Sequence, residues 1–310
     1  MDFIVRPLVP EDFPGFVLVF NECTPAHKIS VQELERDLET LSPDLQRIGV
    51  VAVQDEQIVG YAVGSRIAGA YHPQKFFIEL GVGKAWRRQG IGKRLYDEIC
   101  NCLSEFQPLA FSAQVSDSHP DFLKFASDRG FIEHKRDFVS ILDVQSFDFS
   151  QFNSSLPEGI VIDCFDNLDT PEFRRHWFEV FSEVRLDVPR SQTPTPLEFE
   201  FIEEQIMNEP DLLRTGTLFA LRGDQIVGFT AAFWNRPMNE VDQWLTAVKR
   251  DDRGKGIALS LKLALIREAK RLGALRIMTD NDSRNAAMLA INDKLGFARQ
   301  AAAISVMVEF

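Results

Sequence analysis

The sequence predicts an α/β protein built from two copies of one domain. The first observation is an internal repeat: one glycine-rich segment occurs twice, beginning at Arg87 and at Arg253, which lie 166 residues apart. The second is that each copy follows a short apolar run and precedes a helical pattern. The third is that the same offset persists downstream, since residues 138–144 match residues 304–310. A repeat this long in 310 residues indicates two tandem domains and excludes a solenoid.

Apolar periodicity and turn residues predict the same order of elements in both halves. In the first half, the predicted strands are 3–8, 47–54, 57–66, 76–83, 109–115, 131–136 and 138–144, and the predicted helices are 11–21, 30–41, 90–104 and 118–129. In the second half, the predicted strands are 160–165, 216–222, 225–234, 241–248, 275–280, 297–301 and 303–309, and the predicted helices are 171–184, 196–207, 256–272 and 283–295. Ser30 and Glu33 form a capping box that starts the helix at 30–41.

A polar segment separates the two sets of elements. Residues 146–158 contain Ser150, Asn153, Ser154, Ser155 and Pro157, a composition typical of a linker. We therefore expect a first domain at 1–145, a linker at 146–158 and a second domain at 159–310.

Each repeated segment joins a strand to a helix in a way that suits phosphate binding. Helix N-termini present unpaired backbone N–H groups and a partial positive charge. Glycine lets the backbone approach a pyrophosphate that a Cβ atom would block. The glycines are Gly90, Gly92, Gly254 and Gly256, and the basic residues are Arg87, Arg88, Arg253 and Lys255. One copy alone could be a plain tight turn, but two copies in equivalent contexts favour a function.

With these residues, the chain resembles the GNAT superfamily of acyl-CoA-dependent N-acyltransferases, whose motif A is R/Q-x-x-G-x-G/A after the fourth strand. Residues 4–12 resemble the first strand and helix of that family, 57–61 and 225–229 its hairpin return, and 281–297 its motif B. The resemblance covers both halves. It implies two tandem GNAT domains, each with a mixed, mostly antiparallel central sheet flanked by helices, in a layout similar to that of tandem members such as mycothiol synthase.

The resemblance also implies acetyl-CoA as the co-substrate and no metal. The residues that it implies for cofactor binding in the second domain are Ala247, Val248, Arg253, Gly254, Lys255, Gly256, Ile257, Ala258, Asn281 and Asn285. Those in the first domain are Val82, Arg87, Arg88, Gln89, Gly90, Ile91 and Gly92.

The two copies differ at the positions where the family has its polar motif B residues. A tyrosine four residues before the motif B glycine often protonates the departing thiolate in the family, but Asn292 and Ala126 stand there in this chain. All 3 tyrosines lie in the first half, so a tyrosine acid in the second domain would have to come from the first. The first copy also has Val115 and His119 in place of the two motif B asparagines. We therefore expect the second domain to be the catalyst, with Asn292 among its candidate catalytic residues, as a binding side chain and not as a proton donor.

A carboxylate is the expected general base, because an amine acceptor that is charged at neutral pH must lose a proton before it attacks a thioester. Asp242 occupies the place of the catalytic glutamate of some family members, and Glu240 lies on the same face of the strand. A solubilising charge at a strand end is the alternative role for Asp242. In the first copy, Phe76 takes that position, and Glu79 is expected on the face of the strand opposite to Phe76.

Composition limits the partners. A net charge of −12 argues against a nucleic-acid surface and is compatible with a cationic small-molecule amine as the acceptor. No apolar run is long enough to cross a bilayer and the N-terminus does not resemble a signal peptide, so we expect no membrane partner and a cytoplasmic location. The 4 cysteines lack metal-binding spacing, which predicts no metal site. The repeat predicts a monomer with an internal pseudo-dimer, or a homodimer.

These observations predict an N-acetyltransferase that moves an acetyl group to an amine by direct transfer in a ternary complex. The proline-rich segment 185–196 is either a lid over the acceptor site or an ordinary surface excursion. Two other functions stay open: a catalytically silent acyl-CoA sensor, and an interaction scaffold built on a GNAT pseudo-dimer. The intact Gly256 and Asn285 count against the scaffold.

Overall fold

The computed structural model describes residues 3–25, 28–45, 47–152, 156–189 and 194–310. Its strands are β1 (Ile4–Pro7), β2 (Arg47–Gln54), β3 (Gln57–Ser65), β4 (Lys75–Val82), β5 (Ala110–Ser116), β6 (Ile132–Asp143), β7 (Val161–Cys164), β8 (Leu218–Arg222), β9 (Gln225–Asn235), β10 (Glu240–Val248), β11 (Arg276–Asp282) and β12 (Ala298–Glu309). Its α-helices are α1 (Phe13–Cys23), α2 (Val31–Glu39), α3 (Ile91–Leu103), α4 (Pro120–Ser127), α5 (Phe165–Leu168), α6 (Pro171–Val184), α7 (Phe199–Ile202), α8 (Ile257–Arg271) and α9 (Ala286–Leu295). The linker residues Asn153, Ser154 and Ser155, and residues 190–193 of the expected lid, lie outside the described residues.

The strands form one 12-stranded sheet with the order β1-β2-β3-β4-β5-β12-β6-β11-β10-β9-β8-β7. Among the described strands, β4 with β5 and β10 with β11 are the pairs that run parallel. The remaining pairs are antiparallel, as in β2 with β3 and β8 with β9. The sheet is therefore mixed and mostly antiparallel, which confirms the predicted fold class.

The two halves exchange their last strands. The C-terminal strand β12 lies between β5 and β6, and β6 pairs with β11 of the second half. The prediction of two separate strands at the end of each half was wrong, since β6 and β12 are each one continuous strand. The tripeptide at 136–138, Arg-Asp-Phe, contains neither glycine nor proline, and its Asp137 pairs in the sheet with Asp282 on one side and Ala303 on the other. The chain therefore continues along its partner and absorbs the irregularity as bulges in the pairing of β12 with β6.

Helices cover both faces of the sheet in each half. In α3, Ile91, Leu95, Ile99 and Leu103 are spaced by four residues, so they form one apolar face, which packs against β2, β3 and β4. The other face of the first half packs against α1, and the second half repeats this arrangement with α8 on one face and α6 on the other. The repeated strand–turn–helix segments thus occupy equivalent positions in two three-layered units.

Of two helices predicted in the second half, one differs from the structure and the other is confirmed with the same bounds. The helix expected at 196–207 is the single turn α7, followed by a π-helical turn at Glu203–Met207. The helix expected at 171–184 is α6, whose first turn is capped by the Thr170 hydroxyl. Within the described residues, no helix combines the length and apolar character that a bilayer crossing requires.

Candidate active site

The two glycine turns have the same backbone conformation. Gly90 and Gly256 both have a φ of +85°, and the positions two residues earlier, Arg88 and Gly254, have φ values of +65° and +75°. In each turn, the guanidinium of the first arginine donates from Nε to the last carbonyl of the preceding strand at 2.9 Å. The repeat in sequence is therefore a repeat in structure, and only glycine adopts the conformation at the helix start without strain.

The helices that follow these turns begin without a side-chain cap. Ser30, Thr170 and Asn285 cap α2, α6 and α9, whereas Gly90 and Gly256, which precede α3 and α8, have no side chain to offer. The first-turn N–H groups of α3 and α8 therefore need acceptors from outside the helix. A Cβ atom built on Gly256 would meet no other atom within 4 Å, so the space in front of α8 is open. These features fit the pyrophosphate of CoA.

The basic side chains of the second turn are bound to carboxylates. Lys255 donates to Asp252 at 2.9 Å, and Arg253 pairs with Asp187 at 2.5 Å. Arg250 also pairs with Asp187, and these two guanidinium groups hold the pKa of the Asp187 carboxyl far below its usual range. Backbone N–H groups, more than free cationic side chains, are thus what this turn offers to an anion.

The strands β10 and β11 diverge to form a fork. Their parallel pairing consists of three positions and ends at Asp242 with Met278. Beyond that point, β10 continues to pair with β9, with a β-bulge between Gln243 and Leu245. After Asp242, no described strand pairs with the β11 side of β10, although the Thr279 hydroxyl on β11 donates to the Gln243 carbonyl at 3.1 Å. The peptide groups from Trp244 onward are those that could bond to the two amides of a pantetheine arm.

A cavity lies in this fork. It is lined by residues of β10, β11, α8, the start of α9, the segment after α6 and the exchanged strand β6: Trp244, Leu245, Thr246, Thr279, Asp280, Asn281, Asp282, Lys262, Asn285, Met288, Val188, Pro189, Lys135 and Asp137. Two of these residues, Lys135 and Asp137, belong to the first half of the chain. The site of the second domain is therefore built from both halves.

Asp242 is the last residue of β10 before the fork opens. Its neighbours Val241 and Gln243 face α8, since Val241 packs in the core beneath that helix and Gln243 bonds to Lys262 on it. By alternation, the half-buried Asp242 faces the α6 side of the sheet. Glu79 lies on the face of β4 opposite to Phe76, as expected: Phe76 packs beneath α3, whereas Glu79 accepts a bond from Tyr61, which packs on α1, the counterpart of α6. Phe76 and Asp242, which match in the sequence repeat, therefore face different sides of the sheet, and Glu79 lies on the side that corresponds to that of Asp242. The bulge in β10 adds one residue and so reverses the alternation.

Glu240 lies two residues farther from the fork than Asp242. It is buried and pairs with Arg276 at 2.7 Å, so its carboxylate already holds a cation. Glu240 and Asp242 share one face, but only Asp242 stands where the strands part.

The motif B asparagines lie together at the cavity. Asn281 and Asn285 line it, and Asn285 also accepts from the Met288 N–H to cap α9. Asn292 is fully buried behind Asn281 and donates to its Oδ1 at 2.6 Å, while the Oδ1 of Asn292 has no hydrogen-bond partner. Ala247 and Val248 complete β10 after the bulge, Ile257 and Ala258 begin α8, and Val248 accepts the bond from Arg253.

The first copy of the site is more crowded. Arg88 lies 3.5 Å from Asp121, and Arg87 lies over the ring of Phe122, both on α4. Phe125, also on α4, lies 3.5 Å from a Cβ built on Gly92. Gln89 donates to a backbone carbonyl of its own turn, and Val82 and Ile91 flank the turn as in the second copy. The pairing of β3 with β4 contains no bulge, so the fork beyond β4 lacks that feature of the second copy.

Two residues that the sequence analysis overlooked lie in the second fork. Lys262 is buried on α8 and donates to Gln243, whose amide nitrogen bonds to Thr230 at 2.9 Å and to Thr246 at 3.0 Å. The sequence did indicate that Lys262 is buried, because it lies three and four residues before the apolar Leu265 and Ile266 and so shares their face of the helix. The described residues contain no group of three or more His, Cys, Asp or Glu side chains arranged to hold a metal ion.

Comparisons with known proteins agree on one superfamily. A family model for an "Acetyltransferase (GNAT) domain" matches residues 46–126, and one for the "Acetyltransferase (GNAT) family" matches residues 172–297. Together they span about two thirds of the chain. No curated protein sequence matches it.

Solved structures match the chain over its whole length. It is similar to a tandem GNAT protein from the clavulanic acid biosynthesis pathway, in a structure without AcCoA, with 18% identity, a TM-score of 0.77 and coverage of 99% of this chain and 98% of that one. It is also similar to a GCN5-related N-acetyltransferase from Sphaerobacter thermophilus, with 20% identity, a TM-score of 0.73 and coverage of 99% and 95%. At these identities the similarity establishes the fold.

Proposed function

Because the chain belongs to the GNAT superfamily and carries two of its domains in tandem, we propose that it transfers an acetyl group from acetyl-CoA to the amine of a small molecule. The observation that carries this proposal is the combination of the fork of β10 and β11 with the uncapped N-terminus of α8, the helix that follows β10 in the chain. We assign catalysis to the second domain, because the bulge and the motif B asparagines occur there.

In the proposed mechanism, the amine nitrogen attacks the thioester carbonyl carbon in a ternary complex. Asp242 first takes one proton from the ammonium form of the acceptor, directly or through one water, and passes it to solvent. The C–N bond then forms, the C–S bond breaks, and the second proton leaves the amine by the same route. The N–H groups at the start of α8 hold the pyrophosphate, and the open edge of β10 holds the pantetheine arm. No covalent acyl-enzyme is required, so the four cysteines have no role in the transfer.

The charges of the cavity support a cationic acceptor. Asp137, Asp280 and Asp282 contribute three carboxylates to its lining, of which Asp137 pairs with Lys135 and Asp282 with Arg284, and the chain as a whole carries a net charge of −12. A protonated amine is attracted to such a site before it loses its proton. We therefore place polyamines, amino sugars and aminoglycosides first among the acceptor classes.

The experiment that tests the proposal is a screen of these amines with acetyl-CoA, with free thiol release as the signal. Initial-rate patterns for the best acceptor should intersect, as direct transfer requires. Parallel patterns, or a cysteine found acetylated by mass spectrometry, would contradict the direct mechanism.

Binding of CoA is tested separately by calorimetry on wild type, Gly256→Glu and Gly90→Glu. The two variants are matched, because both glycines have a φ of +85° and open space in front of them. We expect Gly256→Glu to weaken binding by about tenfold or more, because a carboxylate then faces the pyrophosphate. Gly90→Glu should leave that site intact. Equal affinity and stoichiometry in all three proteins would refute the assignment of the phosphate site.

A catalytically silent acyl-CoA sensor is the second candidate function. The observation that favours it is Asn292, an amide with no proton to transfer, at the position of the family's tyrosine. A protein that binds CoA in the calorimeter but releases no thiol with any amine would be such a sensor.

A further inference from the structure

Lys262 is a cation buried at the inner end of the fork. Its side chain is 2% exposed and lies on α8, with Nζ donating to Gln243 Oε1 and 5.3 Å from the centre of the Phe297 ring. Gln243 is held in turn by the hydroxyls of Thr230 and Thr246. Neutral side chains therefore fix the position of the ammonium group, and no carboxylate neutralises it in these contacts.

The same cavity contains four other charged residues. Lys135 and Asp137 come from β6 and form a pair at 2.7 Å, while Asp280 and Asp282 come from β11, and Asp282 pairs with Arg284 at 2.7 Å. Burial lowers the pKa of Lys262 to about 7, so this amine gains and loses a proton near neutral pH. A buried lysine is costly to keep as a cation, and one that lines a reaction cavity is a candidate for proton transfer.

We propose that Lys262 is the catalytic residue that gives a proton to the departing thiolate of CoA. This inference rests on the proposed function. When the C–S bond breaks, its electron pair remains on sulfur, and the Lys262 ammonium transfers one proton to it, yielding CoA thiol and a neutral amine. Lys262 then regains a proton from water, which balances the second proton that the acceptor amine loses to Asp242. Gln243 positions the ammonium for this transfer.

Other donors in the second fork are less suitable. Asn292 is an amide, which carries no transferable proton at neutral pH. No tyrosine is among the described residues that line the cavity. The residue that matches Lys262 in the first half is Tyr96, which packs between the rings of Phe125 and Phe131.

The test is a titration of the thiol of bound CoA, followed by the ultraviolet absorbance of the thiolate, in wild type and in Lys262→Met. A nearby ammonium stabilises a thiolate, so the thiolate should form in the wild-type complex at a pH about 1–3 lower than in the variant complex. Tyr96→Phe, the equivalent position of the first half, is the matched control and should titrate like wild type. Calorimetry with CoA checks that each protein is folded and loaded.

A turnover assay with acetyl-CoA and the amine found in the screen provides the second measurement. Lys262→Met should lower kcat by about 10²–10⁴-fold with little change in KM for acetyl-CoA. Lys262→Arg keeps the positive charge but cannot release a proton. We therefore expect the thiol of bound CoA to titrate at the same low pH as in wild type, while kcat stays low. Lys262→Gln replaces Lys262→Met if the latter does not fold.

The outcomes separate the two proposals. If wild type does not bind CoA, the proposed function fails. If wild type and Lys262→Met both bind CoA and the thiol titrates identically in the two complexes, the role of Lys262 is refuted while the proposed function stands. Full activity of the Lys262→Arg variant would also refute the role of Lys262 as proton donor, because a positive charge alone would then be enough for turnover.

Discussion

Asp242 is the residue for which position and proposed role agree most closely, since it is the last residue of β10 paired with β11. We expect Asp242→Asn to lower turnover at neutral pH by about 10²–10⁴-fold, because the amide cannot accept the proton of the attacking amine. CoA affinity should change little, and raising the pH should restore part of the rate, since a deprotonated amine needs no base. Steady-state rates from neutral to alkaline pH provide the measurement.

The matched control for this variant is Glu79→Gln in the first half. Glu79 faces α1 as Asp242 faces the α6 side, and burial raises the pKa of its carboxyl. A fully active Asp242→Asn enzyme together with an inactive Glu79→Gln enzyme would move catalysis to the first domain.

Lys262 should also make stability depend on pH. Burial lowers its pKa in the folded protein from an ordinary value of 10.5 to about 7. Between these two values the unfolded chain binds a proton that the folded chain lacks, so the free energy of unfolding should rise as pH increases through this window. In Lys262→Met this contribution disappears, and the variant should be the more stable protein at pH 7. Urea unfolding of both proteins at pH 7 and pH 9 checks this, and identical pH dependence would contradict it.

Some residues of the site could be predicted from sequence and others could not. The glycine turns were recognisable because the sequence repeats and because glycine favours positive φ, and both turns have the expected conformation. The pairing of Lys255 with Asp252 could not be predicted from the sequence, because it depends on the directions of side chains in a turn. That Asp242 and Phe76, which match in the sequence repeat, face different sides of the sheet could not be predicted, because one extra residue at the bulge near Trp244 reverses the alternation and no residue type marks that bulge.

At the scale of elements, the segment after α6 connects the acceptor side to the phosphate turn. Val188 and Pro189 line the cavity, and the adjacent Asp187 binds both Arg250 and Arg253 of the turn. On its far side, Thr195 donates from its N–H to Gly69 of the first half at 2.9 Å. The described ends of 185–196 therefore contact the cavity, the phosphate turn and the first half, and the lid stays a prediction.

Asp187 places a negative charge beside the site where the pyrophosphate is expected. We expect Asp187→Asn to bind CoA about two- to fivefold more tightly at low salt, which corresponds to a surface charge interaction of ~0.5–1 kcal/mol. The gain should shrink as salt is added. Calorimetry at two ionic strengths measures it, with Asp166→Asn as control, because Asp166 pairs with Arg214 away from the turn. Weaker binding in Asp187→Asn would mean that the carboxylate organises the turn for its ligand.

The elements themselves were largely predictable, whereas their partners were not. Apolar spacing fixes α3 and α8, since residues four apart share one face of a helix. The exchange of β6 and β12 depends on which of two similar edges each strand joins. Because the two halves are repeats, the local patterns of the two edges resemble each other, and tertiary packing decides between them.

At the scale of the whole molecule, the predicted tandem GNAT organisation is confirmed, and the exchanged strands make the two domains interdependent. In the sheet, β12 fills the place beside β5 of the first half, and β6 fills the place beside β11 of the second. The exchange also carries Lys135 and Asp137 into the cavity of the second domain. The boundaries at 145 and 159 stay predictions for the repeats, and they do not separate units of packing.

We therefore expect neither half to fold alone when residues 1–145 and 159–310 are produced separately. Without β12, the edge of β5 and the apolar face formed by Ile304 and Val306 are lost from the first half, and without β6 the edge of β11 is exposed in the second. Circular dichroism should show no cooperative thermal transition for either fragment. Mixing the two during refolding should restore a 1:1 complex, visible by size-exclusion chromatography, that binds CoA as the intact chain does. A separate half that unfolds cooperatively as a monomer would contradict the interdependence, whereas failure of the mixture alone would show that the linker is needed to bring the halves together.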